Sequence, residues 1–153
     1  MSKQETKELA LNIASFLPAA LQPPHSVEIE QLVLGAILID PEAINKAIAV
    51  IDKDAFYKPN HQTIFAAIVT LYNEREPIDV STVFNELVRV KKLDEVGGLT
   101  FLSELSNNIS SAANVEYLLK ILIEKKLLRD LISVSHGIAN RAYQAEDTAL
   151  KIL

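Results

Sequence analysis

The longest helical pattern in this sequence lies at residues 112–142, which read AANVEYLLKILIEKKLLRDLISVSHGIANRA. Apolar or small residues recur there at spacings of three and four, as they do along an amphipathic α-helix. These positions are Leu118, Ile121, Leu122, Leu128, Leu131, Ile132, Ser135, Ile138, Ala139 and Ala142. The pattern predicts a helix of about 30 residues, whereas helices of globular proteins average about 11–12 residues. Because such a helix extends beyond a compact core, its apolar stripe has to be covered by something else.

The rest of the chain predicts an all-α fold, since apolar residues recur nearly everywhere at about 3.6 residues and strict alternation is rare. We expect a flexible N-terminal segment with a proline-rich linker at residues 1–25 and a compact helical head at residues 26–110. A helical hairpin is expected at residues 111–153. In this hairpin, Asp147 caps a second helix that is cut off at Leu153 after about two turns.

Start and stop signals place several helices inside the head. Ser26 is the expected N-cap of a helix at about 27–39, and Asp40 is the expected cap of the next helix. Asp79 is expected to cap a later one. Gly35 lies in the middle of the first helix, where glycine costs about 1 kcal/mol relative to alanine. We therefore expect a second helix to approach closely at this position.

Composition and charge limit the classes of function. The net charge of -5 argues against a surface that grips phosphate backbones, because nucleic-acid binding relies on clustered lysine and arginine. The absence of cysteine excludes disulfides and thiolate zinc sites. The first residues lack the order of a signal peptide, and no apolar run approaches the roughly 20 residues of a membrane span. We expect a cytoplasmic protein.

The sequence contains no recognisable catalytic, cofactor-binding or metal-binding residues. Its four glycines cannot form a phosphate loop or a dinucleotide fingerprint, and no two histidines have the spacing of a helical metal site. His61, which follows Phe56 and Tyr57, is expected to pack and to form hydrogen bonds. One alternative is a small helical enzyme that uses Glu28, Glu30 or His61, which would require a deep pocket.

A basic cluster lies in the middle of the long helix and is interleaved with Glu124 and Asp130; its members are Lys120, Lys125, Lys126 and Arg129. A solvated helix face is the simplest interpretation. A docking surface for an acidic partner is the second interpretation. Direct DNA binding ranks third, because the acidic residues weaken the local positive potential.

Five short sequence blocks follow one another between residues 30 and 117, and the resemblance that they carry extends over about residues 24–153. They are EQLVLGAIL at 30–38; Phe56-Tyr57 with His61 and IFAAI at 64–68; Pro77-Ile78-Asp79 with Thr82-Val83; Leu93 with Gly97-Gly98; and SAAN at 111–114 with Tyr117. Each block is short, but their order and spacing are specific. Together they resemble the N-terminal domain of DnaB-type replicative DNA helicases.

The resemblance implies a collar domain that mediates ring assembly in a hexameric helicase and docks primase during DNA replication. The implied partners are further copies of the chain, paired as dimers in a trimer of dimers, the C-terminal domain of primase, and a helicase loader. Single-stranded DNA passes through the full ring. ATP and magnesium belong to a C-terminal RecA-like ATPase domain that is absent from this chain, so no cofactor and no enzymatic activity are expected here. A nucleic-acid-binding helical domain is the alternative.

In this family the first helix of the hairpin corresponds to residues 112–142. The interface residues predicted on it are Val115, Leu118, Ile121, Leu122 and Leu128. The alternative for these side chains is the core of their own chain, because an apolar stripe does not say which element covers it.

Overall fold

The computed structural model describes residues 2–8, 22–144 and 148–152, and these ranges contain helices and no strand. Residues 3–8 are helical, and a 3-10 turn spans Lys53–Ala55. The other helices are α1 (Val27–Ile39), α2 (Pro41–Ile48), α3 (Pro59–Asn73), α4 (Val80–Arg89), α5 (Leu93–Val96), α6 (Gly98–Asn107), α7 (Val115–Gln144) and α8 (Ala149–Ile152). The predicted all-α fold is confirmed. None of the helices in the described ranges combines the length and apolar character that crossing a bilayer requires.

Helix α1 is the centre of the head. Residues 33–38 are buried without interruption, because α2, α3, α6 and α7 all contact this helix. Residues 33–38 are all apolar or glycine, so this part of the helix is apolar on every side, which is typical of a helix that its neighbours surround. The core therefore forms around α1.

Side-chain caps fix where three helices begin, as the sequence predicted. Ser26 accepts a hydrogen bond from the backbone N of Ile29 at 3.3 Å, and Asp40 accepts one from the backbone N of Glu42 at 3.0 Å. Asp79 begins α4 with a reciprocal capping box. Each such cap contributes about 1 kcal/mol to stability.

Gly35 allows α1 and α6 to pack closely. A Cβ atom at this position would lie 2.3 Å from the backbone oxygen of Leu105 and 3.0 Å from the side chain of Ile109. Any larger residue would push the two helices apart. The close approach expected from the sequence is confirmed.

Helix α7 belongs to the head at its beginning and leaves it afterwards. Its buried residues are Val115, Leu118, Leu119 and Leu122. Arg129 is the last residue of α7 that is partly buried, and every residue from 130 to 144 is exposed. At about 1.5 Å per residue, this exposed part extends roughly 22 Å.

The ends of the long helix differ slightly from the prediction. The helix begins at Val115, because Ser111 Oγ accepts a hydrogen bond from the backbone N of Ala113 at 3.1 Å and closes a turn before it. The short helix α8 contacts α7. The predicted cap of the second helix, Asp147, lies outside the described residues.

Candidate functional site

The apolar surface of α7 changes side along the helix. At about 100° per residue, Val115, Leu118 and Leu122 share the side that is buried in the head. Leu131 and Ile138 lie roughly 160° around the helix from that side. The apolar residues that the sequence suggested as one stripe therefore form two stripes on nearly opposite sides of one helix.

The second stripe forms an exposed surface, which we call the distal apolar face. It consists of Leu127, Leu128, Leu131, Ile132, Val134 and Ile138, with exposed fractions of 55, 40, 62, 43, 61 and 44%. Polar residues such as Ser133, His136 and Asn140 occupy the opposite side of the same segment. Single exposed apolar residues are ordinary on protein surfaces, but a contiguous row of them marks an interaction surface.

The spacing along this face is that of a helix that pairs with another helix. Leu128, Leu131, Ser135, Ile138 and Ala142 follow one another at three, four, three and four residues, which is a heptad repeat. Ser135 Oγ donates a hydrogen bond to the backbone oxygen of Leu131 at 2.7 Å. Because this hydroxyl already has its acceptor within the helix, a partner can cover it without leaving its donor unpaired.

The five predicted interface residues fall into two groups, which differ in how far they are buried in their own chain. Val115, Leu118 and Leu122 are 1, 8 and 1% exposed in the core of their own chain. For these three side chains the burial supports the alternative that the sequence left open, which is the core of their own chain. Ile121 is partly buried and Leu128 is exposed, so both stay predicted interface residues.

Two residues of the basic cluster of α7 interact with other groups of their own chain. Arg129 donates hydrogen bonds to backbone oxygens of the head, and Lys126 contacts Asp130 at 2.6 Å. The hydrogen bond to Asp130 raises the pKa of Lys126, and the carboxylates of Asp52 and Asp54 raise it further. Lys126 therefore has an acidic partner within its own chain, whereas backbone carbonyl oxygens hold the guanidinium of Arg129.

Glu30 and His61 form a buried polar pair that links α1 to the start of α3. Both side chains are 1% exposed, and His61 Nδ1 donates to a Glu30 carboxylate oxygen at 2.8 Å. The same carboxylate accepts the backbone N–H groups of Tyr57 and Lys58 at 2.9 and 3.2 Å. Burial raises the pKa of Glu30, but these hydrogen bonds outweigh it and hold that pKa below its ordinary value.

These hydrogen bonds connect α1 to the backbone and to His61 at the start of α3. Glu30, a candidate residue of the alternative enzyme hypothesis, has a buried carboxylate that accepts three hydrogen bonds. The sequence signal that was missed is the pairing of Glu30 with His61, 31 positions later. Within the described ranges, no group of three or more His, Cys, Asp or Glu residues is arranged to hold a metal ion.

Comparison with known proteins places most of this chain in one family. The family model of the DnaB-like helicase N-terminal domain matches residues 22–124. The chain is 46% identical to the replicative DNA helicase DnaB of Rhodothermus marinus over 131 residues, which are 86% of this chain and 14% of that protein. It is 42% identical to the replicative DNA helicase DnaC of Bacillus subtilis over 86% of this chain and 29% of that protein. The chain thus spans less than a third of the length of these relatives.

Solved structures agree with the sequence comparison. The N-terminal domain of the DnaB helicase from Mycobacterium tuberculosis superposes with a TM-score of 0.81 and 35% identity, over 86% of this chain and 93% of that chain. A DnaB-like replicative helicase, solved with its interactions with primase, matches with a TM-score of 0.67 and 26% identity over 75% of this chain and 27% of that one. This chain belongs to the DnaB-like helicase N-terminal domain family.

Proposed function

We propose that this chain is the collar domain of a ring-shaped replicative DNA helicase, where it joins helicase subunits and docks primase. The observation that carries the proposal is the distal apolar face, which extends beyond the head with large apolar side chains exposed by 40–62%. The chain itself contributes assembly and no catalysis. ATP and magnesium act in the part of the helicase that this chain does not span, and the whole protein works in the cytoplasm.

A second copy of the chain is the occupant that best fits the distal apolar face. Covering each partly exposed leucine, isoleucine or valine is worth roughly 1 kcal/mol, about half of the value for burying such a side chain fully. The heptad repeat favours another helix, and a two-fold symmetric pair lets the same residues face each other. Three such pairs would close into the hexameric ring that the resemblance implies.

Primase is the partner that we propose for the assembled collar. This follows from the similar DnaB-like replicative helicase, whose structure is described together with its interactions with primase. A helicase loader is expected to act on the same ring, and single-stranded DNA is expected to pass through the full ring. We propose that this domain does not bind DNA directly, because its net charge is -5 and both Lys126 and Arg129 have partners within the chain.

The test is to measure the mass of the chain by light scattering during gel filtration, with and without the C-terminal domain of the cognate primase. We expect the two proteins to elute together as one species that is larger than either alone. Separate elution at concentrations of tens of micromolar would contradict primase docking, since weak specific complexes form in that range. Fluorescence anisotropy with single-stranded DNA is the parallel control, and we expect no salt-dependent binding at micromolar concentrations.

A further inference from the structure

Arg129 connects three separate parts of the chain. From α7, its guanidinium donates to the backbone oxygen of Pro24, in the segment that enters the head, at 2.8 Å. It also donates to the backbone oxygen of Ala55 at 3.0 Å and lies 3.5 Å from that of Asp54, in the 3-10 turn. One side chain thereby joins the exit of the long helix to two loops of the head.

Two aromatic rings complete this junction. The guanidinium carbon lies 5.8 Å from the ring centroid of Tyr57, within the range of cation–π contacts. Tyr57 in turn stacks on His25, with ring centroids 4.0 Å apart. The planar guanidinium presents its N–H groups in a rigid fork toward fixed acceptors, whereas the three N–H groups of a lysine ammonium share one nitrogen and rotate freely.

Arg129 lies where α7 leaves the head, so a small change in the helix direction at this residue causes a large displacement at the end of the helix. Arg129 is the last partly buried residue of α7, and four of the six residues of the distal apolar face lie beyond it. Over an exposed segment of roughly 22 Å, a change in direction of about 10° at Arg129 displaces the end of α7 by about 4 Å. Contacts at this position therefore set where the distal apolar face lies relative to the head.

We infer that Arg129 is a positioning residue that fixes the direction in which α7 leaves the head. The apolar contacts from Val115 to Leu122 hold the start of the helix, and the guanidinium holds its exit point against the two loops. Without Arg129 the helix stays attached to the head but samples a range of directions. Any effect of Arg129 on the geometry of a ring rests on the proposed function, whereas its effect on the direction of α7 is independent of that function.

The test measures the distance between the head and the exposed part of α7 by double electron–electron resonance. The chain has no cysteine, so Glu104→Cys on the head and His136→Cys on the polar side of α7 place two labels without further changes. Labelled chains are diluted with unlabelled chains so that distances within one chain dominate. We expect one narrow distribution in the otherwise unchanged chain and a clearly broader one, by roughly twofold, after Arg129→Gln.

A matched control and a conservative variant separate positioning from general destabilisation. Lys125→Gln removes a charge from the same stretch of helix and is expected to leave the distribution unchanged. Arg129→Lys keeps the charge but loses the planar fork, so we expect an intermediate width. Hydrogen exchange at residues 53–57 is expected to accelerate about tenfold in Arg129→Gln, because the turn loses its charged donor.

An unchanged distance distribution in Arg129→Gln would overturn the inference, because packing from Val115 to Leu122 would then suffice to hold the direction. Equal broadening in Lys125→Gln would overturn it as well. Sedimentation distinguishes this result from the proposed function. Arg129→Gln is expected to self-associate as the unchanged chain does, since the distal apolar face is intact, and a failure of self-association in both proteins would count against the proposed function alone.

Discussion

Replacing Leu131 with aspartate tests whether the distal apolar face is an interface between copies of the chain. Leu131 is 62% exposed within one chain. Burying a whole leucine side chain is worth about 1.5–3 kcal/mol, so covering this exposed part is worth about 1–2 kcal/mol. In a two-fold pair the loss occurs twice, about 2–4 kcal/mol in total, and an unpaired buried carboxylate adds a further penalty. We expect the dissociation constant to rise by roughly 30-fold to 1,000-fold.

The assay is analytical ultracentrifugation over a wide range of concentrations. Ser133→Asp is the matched control, because it adds the same charge two residues away on the polar side of α7, and we expect little change in its dissociation constant. Circular dichroism establishes that both variants keep their helices. The reasoning is refuted if Leu131→Asp associates as the unchanged chain does, or if Ser133→Asp weakens association equally.

Three further predictions concern the stability of the head, each measured by chemical denaturation. Gly35→Ala is expected to destabilise the chain by about 1–3 kcal/mol, because the new Cβ would lie 2.3 Å from the backbone oxygen of Leu105. At Gly137 the space around a Cβ is free, so Gly137→Ala should stabilise the chain by up to about 1 kcal/mol through helix propensity. A stabilising Gly35→Ala would contradict the close packing of α1 and α6. Asp79→Ala is expected to cost about 1 kcal/mol through loss of the cap of α4, and an unchanged free energy of unfolding would count against that cap. The folded pKa of Glu30 lies below its unfolded value of about 4.3, so the stability that its carboxylate contributes is complete well above that value and is lost as the pH falls through the folded pKa. Glu30→Gln should therefore lower the free energy of unfolding by about 1.5–3 kcal/mol at pH 7 and should flatten the loss of stability below about pH 4. A pH profile of stability parallel to that of the unchanged chain would refute this prediction.

Local signals in the sequence were sufficient for the helices and their ends. Ser26, Asp40 and Asp79 were predicted as caps and act as caps, because a capping side chain bonds to backbone groups only two or three residues away. Gly35 was also predictable, since glycine in the middle of a helix is costly unless something requires the space. These features depend on near neighbours in the chain.

Features that depend on distant residues could not be predicted in the same way. Apolar spacing located the stripe of α7, but it could not say that residues near Val115 face the head while those near Leu131 face away. The burial of Glu30 depends on His61, and the role of Arg129 depends on loops that lie 74 and 105 positions away in the sequence. Only the three-dimensional packing brings these groups together, which is why spacing alone could not separate the residues of α7 that pack in the head from those that stay exposed.

Sedimentation equilibrium of the unchanged chain tests the central claim most directly, because it asks whether anything covers the distal apolar face. At micromolar concentrations and moderate salt we predict a mass of at least two chains, and we predict that dilution shifts it toward one chain. A mass of one chain at every concentration up to hundreds of micromolar would contradict the account, since the exposed row of apolar side chains on α7 would then remain uncovered in solution.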